Sequence, residues 1–293
     1  MKKVIVVGLV LILIVSCFSL LGCEKKEKEP DGIEITIMSY NIRQDTFADN
    51  GNHDWSVRKP YMINHIKEQA PDIICMQEVK SNQNTGLANG LEEYGFVWYS
   101  RSEDGKEEGL SIAYKKDKYE LVSQDMFWLS DTPKKESKGF GAPFLRICVH
   151  AVLKNIETQK ELSVYSVHLE VAGKEIRLKE INMILDILSK DERKAIVCGD
   201  FNATYKEKCY KAIAEQMNST QEVAKTTEVG ITYQDFGASE DSLDFSDSID
   251  FIFVDKEFYV RNFDILQEHK EIDGEAIYYS DHYEVKSQVI YPN

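Results

Sequence analysis

Ala195-Ile196-Val197-Cys198-Gly199-Asp200-Phe201-Asn202 decides how this chain is read. Four apolar residues in a row read as a buried strand, and Gly199 lets the backbone turn sharply into an acid. A carboxylate delivered at a strand end can orient or deprotonate a water. Asn202, two residues on, falls on the same side of an extended chain. An Asx-turn closing a strand accounts for many Gly-Asp-x-Asn tetrapeptides, so the octapeptide takes its meaning from its company.

That company is a set of short motifs built from carboxylates, amides and histidines. They are Ser39-Tyr40-Asn41-Ile42-Arg43, Gln77-Glu78-Val79, Ser166-Val167-His168-Leu169, Ile249-Asp250-Phe251-Ile252 and Ser280-Asp281-His282. Most stand at the edge of an apolar, strand-like run. Hard oxygen ligands beside imidazoles suit metal-assisted hydrolysis of a phosphate ester. Glu78, closing Asp72–Gln77, is the leading ligand candidate, and Asn41 offers an amide oxygen to the same site. A lone strand-end Glu or Asn is more often a solvated or capping residue. His282 follows Asp281, and Asp250, an acid between apolar neighbours, is its natural partner. His168 closes Val164–Val167, with Glu108 placed to orient it. Arg146, entering Ile147-Cys148-Val149, can reach a phosphate oxygen with two N–H groups, and reads equally as a strand-edge arginine.

Strand signals recur at Ile33–Ser39, Ile73–Gln77, Phe96–Ser100, Leu110–Lys115, Tyr119–Trp128, Arg146–Leu153, Leu162–His168, Ala195–Cys198, Ile249–Val254 and Tyr283–Ile290. Helices are expected over Lys174–Ser189, where Ile181, Ile184, Leu185 and Leu188 share one face, over Pro60–Ala70, and over Lys206–Met217. Two packed sheets with helices outside is the α/β architecture this favours. Loops at Ser130–Phe144 and Thr226–Ser248 are candidate substrate rims.

Residues 1–22 read as a lipoprotein signal: Met1-Lys2-Lys3, an apolar run from Val4 to Leu21, and Leu20-Leu21-Gly22-Cys23 at the end. The ending resembles a bacterial lipobox, with Cys23 the lipidated residue. An uncleaved membrane anchor is the alternative. Residues 23–32 form a charged tether, and 33–293 a single domain. Either way the domain is extracytoplasmic and membrane-anchored, at the cell surface or periplasmic face, and is expected to be a monomer. The formal charge is −15, from 35 Lys+Arg against 50 Asp+Glu. Removing residues 1–22 takes two lysines and no acid, leaving −17. Such acidity opposes broad attraction to polyanions such as DNA. Cys75, Cys148, Cys198 and Cys209 read as buried thiols, with no zinc spacing among them.

Taken together and in order, these motifs resemble the endonuclease/exonuclease/phosphatase superfamily, with its DNase I-like fold, across nearly all of Ile33–Ile290. The resemblance implies a four-layer α/β/β/α sandwich of two mainly antiparallel sheets and a divalent metal, Mg²⁺ in the first place, with Mn²⁺ or Ca²⁺ as alternatives. By position, Asn41, Glu78 and Asp281 would surround the metal. Asp200 would position the attacking water, Asn202 hold the phosphate, and Asp250 support His282. His168 would be a second phosphate-facing histidine, oriented by Glu108. A histidine at 168 looks more like DNase I, bacterial sphingomyelinases and inositol-phosphate phosphatases than abasic-site nucleases. Phe127–Pro133 resembles a bacterial subgroup that often carries Gly-Trp-Asp where this chain has Gly139-Phe140-Gly141. The expectation is a phosphoesterase acting on mono- or diesters of a phospholipid head group, a sugar phosphate or a nucleic acid. An extracellular nuclease of DNase I type, or a non-catalytic surface binding lipoprotein on the same scaffold, are the alternatives.

Overall fold

Alternation along the first apolar segment sends Ile35 and Ile37 to one side and Met38 and Tyr40 to the other, and both sides are buried. This computed structural model describes residues 29–238 and 247–293. Cys23, the signal and most of the tether lie outside the described residues. In chain order the elements are β1 (Gly32–Asn41), α1 (Trp55–Gln69), β2 (Ile73–Val79), α2 (Ser81–Gly90), β3 (Tyr94–Ser100), β4 (Gly109–Lys115), β5 (Tyr119–Trp128) and β6 (Ile147–Asn155). There follow β7 (Glu161–His168), α3 (Lys174–Leu188), β8 (Lys194–Asp200), α4 (Lys208–Gln216), β9 (Asn218–Ser219), α5 (Thr220–Val223) and β10 (Thr226–Thr227). The chain ends with β11 (Asp250–Val254), β12 (Tyr259–Leu266), β13 (His269–Ile272), β14 (Glu275–Tyr278) and β15 (Glu284–Pro292).

One sheet runs β10-β12-β15-β1-β2-β4-β3 and the other β5-β6-β7-β8-β11-β9, with β13-β14 a separate hairpin. Neighbours are antiparallel except β1/β2, β7/β8 and β10/β12. Three apolar layers result. Ile35, Ile37, Ile73, Val164, Ile196 and Val254 fill the space between the sheets. Met38, Ile74 and Met76 meet α1 and α2 through Met62, Ile66 and Leu87. Val167, Val197 and Phe253 meet α3 and α4 through Ile181, Ile184 and Ile213. Each fully buried aliphatic side chain contributes roughly 1.5–3 kcal/mol, and every central strand carries them on both faces. The result is the expected four-layer α/β/β/α sandwich. Cys75, Cys148, Cys198 and Cys209 are buried free thiols within it.

α1 begins five residues before the expected start. Asp54 caps it by accepting from Ser56 N, which lets the helix form through Pro60 at the loss of one internal hydrogen bond. Its Arg58 is wholly buried and donates to the carbonyls of His53, Ile42, Tyr279 and Arg43. That guanidinium ties together the two chain segments that follow Asn41 and precede Asp281.

Candidate active site

Register builds the site. His168 on β7 pairs in register with Asp200 on β8, which pairs with Asp250 on β11. Alternation puts Val164, Ile196, Cys198, Ile252 and Val254 on the inner face, so His168, Asp200 and Asp250 point the same way, toward the other sheet. From that sheet come Asn41, last residue of β1, and Glu78 near the end of β2, where Asn41 pairs with Gln77.

Glu78 does not follow alternation. Met76 and Val79 both pack on the outer face, and the β2/β4 register shifts between them. Glu78 is the extra residue of this bulge and has φ +60°. A strained, left-handed backbone thus re-aims the carboxylate into the site. Arg43 and Asn202 also have positive φ (+55° and +47°), so three turns beside the site are held off their relaxed conformations.

At the centre, the Asn41 amide nitrogen donates to Glu78 Oε1 (3.2 Å) and Asp200 Oδ2 (3.1 Å) and lies 3.4 Å from His282 Nε2. His282 Nδ1 sits 2.9 Å from Asp250 Oδ2, the expected partnership. His168 Nε2 and His282 Nε2 face Asp200 Oδ2 at 3.5 and 3.8 Å. Asp281 lies 3.4 Å from Arg43. A cavity of about 520 Å³ opens over these groups, with Arg101, Phe144, Arg146 and Tyr233 on its walls.

Burial first, and then the negative charge of Asp250, push the Asp200 carboxyl up to about 7. Burial likewise raises Asp281 to about 6, with Glu78 adding to it and His282 and Arg43 opposing. For His282 burial pulls downward, but Asp250, Asp200 and Asp281 prevail and lift it to about 10, so it is a cation at neutral pH. His168 is driven well below its ordinary value by burial and by the neighbouring Arg146 and His282, and is neutral. The two histidines therefore differ in charge although both face the same carboxylate.

Several expected contacts take other forms. Glu108 does not reach His168: it pairs with Arg101 at 2.5 Å, and His168 Nδ1 has no partner. Asn202 is not placed by an extended chain. Its N–H closes an Asx-turn onto Asp200 Oδ1 (2.8 Å) and its side chain donates to Leu169 O (2.9 Å), leaving one amide N–H for a ligand. Asn41 presents nitrogen to Glu78 while its oxygen accepts from Arg43 N, so ligation of a cation calls for the flipped amide. Arg146 lines the cavity, 3.7 Å from the buried Glu170. Sequence reasoning does not single out Arg43, Arg101, Tyr233 or Glu170. Only Arg43 carries a signal, its place within the first motif.

The donor set fits a hard divalent cation. Glu78, Asp200, Asp250 and Asp281 bring four carboxylates together. Asp200, Asp250 and His282 place ligating atoms within 4.8 Å of one another, the one such cluster among the described residues. Within that trio His282 and Asp250 are already paired with each other, which leaves only the Asp200 carboxylate uncompensated. Asp281, whose carboxyl is raised in part by the neighbouring charge of Glu78, and Glu78 itself are the better-suited pair to hold an ion.

A family model described as the Endonuclease/Exonuclease/phosphatase family matches residues 38–282. The chain belongs to that family. Its members hydrolyse phosphoesters, and this protein is a phosphoesterase of that broad kind. Among solved structures, a family protein from Bacteroides thetaiotaomicron is 27% identical, covers 90% of this chain and 100% of its own, and superposes with a TM-score of 0.83. A mannosyl-6-phosphatase from the same organism is 28% identical over 88% of this chain and 100% of its own, with a TM-score of 0.81. Protein angel homolog 2 of Bos taurus is 27% identical over 66% of this chain, which spans 38% of that relative's length.

Proposed function

We propose that this phosphoesterase is Mg²⁺-dependent and hydrolyses small, soluble phosphate esters, sugar phosphates foremost, by in-line attack of a water aligned by Asp200. The observation that carries the reading is the inward-facing row His168–Asp200–Asp250 meeting Asn41 and Glu78 of the opposite sheet. Asp200, with a carboxyl near 7, accepts the proton of the attacking water. Cationic His282, braced by Asp250, stabilises negative charge on the phosphoryl oxygens. Neutral His168 donates to the leaving oxygen, and Arg146 binds a phosphoryl oxygen through its cavity-facing N–H groups. Glu78, Asp281 and the flipped Asn41 amide would hold Mg²⁺, whose chemistry is to polarise and orient the phosphate.

Two observations favour a small sugar phosphate over nucleic acid. The charge of −15 opposes long polyanions, and the 28% identical mannosyl-6-phosphatase acts on a sugar phosphate by its name.

The test is hydrolysis of mannose 6-phosphate, glycerol 3-phosphate, bis-p-nitrophenyl phosphate, sphingomyelin and plasmid DNA, with Mg²⁺ and with EDTA. Mg²⁺-dependent release of phosphate from the small esters is expected. Asp200→Ala and His282→Ala should each lose roughly a hundredfold or more in rate. Near-wild-type rates in both variants would refute the assignment, and turnover of DNA alone would restore the nuclease alternative.

A further inference from the structure

Phe144 stands at the cavity mouth with 44% of its surface exposed. Its backbone N–H donates to Glu170 Oε2 (3.3 Å). The same oxygen lies 3.7 Å from Arg146 Nε, and Glu170 Oε1 accepts from Ala172 N (3.1 Å). Glu170 is completely buried, and its own N–H donates to Glu180 Oε2 (2.9 Å). One buried carboxylate thus fixes a rim aromatic and a cavity arginine to the strand end that carries His168. Arg146 is itself 6% exposed, and its Nε makes no hydrogen bond. Its guanidinium carbon and that of Arg101 each lie 5.8 Å from the Phe144 ring centroid.

An exposed aromatic beside guanidinium donors suits a ring that offers both a stacking face and hydrogen-bonding groups. The ring face carries partial negative charge and accepts the positively polarised C–H face of a saturated ring, while N–H groups around it bind hydroxyls. Resting on the phosphohydrolase reading above, we propose that Phe144 and Arg146, strutted by Glu170, form the leaving-group subsite, and that it takes a hydroxylated saturated ring, as in a hexose phosphate. Phe144 contributes the stacking surface. Arg146 spans the ring and the phosphate. Glu170 is a positioning residue that touches neither. A cavity of about 520 Å³ accommodates such a molecule and lies within the range of small-ligand sites.

The test compares kcat/KM on mannose 6-phosphate, glucose 6-phosphate, glycerol 3-phosphate and adenosine 5′-monophosphate for wild type, Phe144→Ala and Phe144→Trp. Wild type is expected to prefer the hexose phosphates to glycerol 3-phosphate. Phe144→Ala should shrink that preference at least tenfold, mainly through KM, and Phe144→Trp should restore it. Calorimetry of mannose 6-phosphate and of inorganic phosphate with Asp200→Asn gives a readout without turnover. The sugar phosphate should bind the tighter of the two, with the difference lost when Phe144→Ala is added. An equal fall on all substrates, or no hexose preference in wild type, overturns the subsite while Asp200-dependent hydrolysis keeps the function. A Phe144-dependent preference for adenosine 5′-monophosphate overturns the saturated ring in favour of a nucleobase. Absence of Asp200-dependent hydrolysis of any ester removes the function itself.

Discussion

Replacing Arg58 by methionine tests whether a single buried guanidinium holds the site's two backbone segments in place. Arg58 Nε donates to His53 O at 2.7 Å, Nη1 to Ile42 O (2.9 Å) and Tyr279 O (2.8 Å), and Nη2 to Arg43 O (3.2 Å). Methionine fills much of the stem and makes none of these bonds. A hydrogen bond to a charged group is worth about 1.5–3 kcal/mol net, and a buried carbonyl left unpaired costs about 1–3 kcal/mol. Against this stands the cost of burying the charge, which is the chief reason the guanidinium is held below its ordinary pKa. The net loss expected is about 3–5 kcal/mol, or roughly 6–20 °C in Tm for a domain of this size. Because Ile42 and Arg43 follow Asn41, and Tyr279 leads into Ser280 and Asp281, kcat should fall at least tenfold even where the protein remains folded. Urea unfolding gives the first quantity, and saturating kinetics at a temperature well below the transition gives the second. An Arg58→Met variant whose stability lies within about 1 kcal/mol of wild type, well short of the expected loss, and whose kcat is unchanged would refute the tie.

Glu180 is buried, and burial raises its carboxyl to about 7 from 4.5, against the lowering effect of the Glu170 N–H bond and of Arg146. Its contribution to stability is full below about 4.5 and is lost as pH rises through 7. Glu180→Gln keeps the acceptor for Glu170 N, so it should gain about 2–3 kcal/mol relative to wild type between about pH 4 and pH 8. Urea midpoints that run parallel over that range would contradict this. Gly199→Ala would place a Cβ 2.0 Å from Val167 O, which is backbone and cannot yield cheaply. A loss of more than about 3 kcal/mol is expected in thermal unfolding, and a soluble variant with wild-type Tm would show that β7 and β8 can part. Glu78→Gln should weaken Mg²⁺ dependence at least tenfold in the half-saturating concentration, measured by titrating the metal into the EDTA-treated protein, and an unchanged Mg²⁺ requirement would move the ion elsewhere.

Most strands are legible in the sequence because their apolar residues alternate or run continuously, and three apolar layers leave little freedom in which side faces where. The misses have local causes. α2, Ser81-Asn82-Gln83-Asn84-Thr85-Gly86-Leu87-Ala88-Asn89-Gly90, is mostly polar with two glycines, and one of its two buried residues, Leu87, is its only large apolar contribution to the core. The β13-β14 hairpin does carry a signal, Asp273-Gly274, and both residues take the positive φ that such a turn demands. β12 shows alternating burial at Val260, Phe263 and Ile265, but a bulge between Val260 and Asn262 breaks the period.

Within the site, legibility divides along the same line. His168, Asp200 and Asp250 sit on regular strands, so a sequence that fixes the inner face of β7, β8 and β11 also fixes where these three point. Glu78 has the opposite history. Strict alternation from Met76 sends it toward α1 and α2, and only the bulge with φ +60° turns it inward. Asn202 similarly depends on a left-handed turn, and Glu108 on the guanidinium of Arg101, a residue outside every motif. Nothing in strand periodicity announces such departures, because each is stabilised by partners distant in the chain: Gln44 N and Asn41 for Glu78, Leu169 O for Asn202. The part of the centre that acts on water is therefore written into the strands. On the cation side, Asn41 is likewise fixed by the regular β1/β2 register, while Glu78 reaches the site only through a strained bulge held by Asn41 and Gln44 N, which makes it the ligand most sensitive to substitutions around that turn.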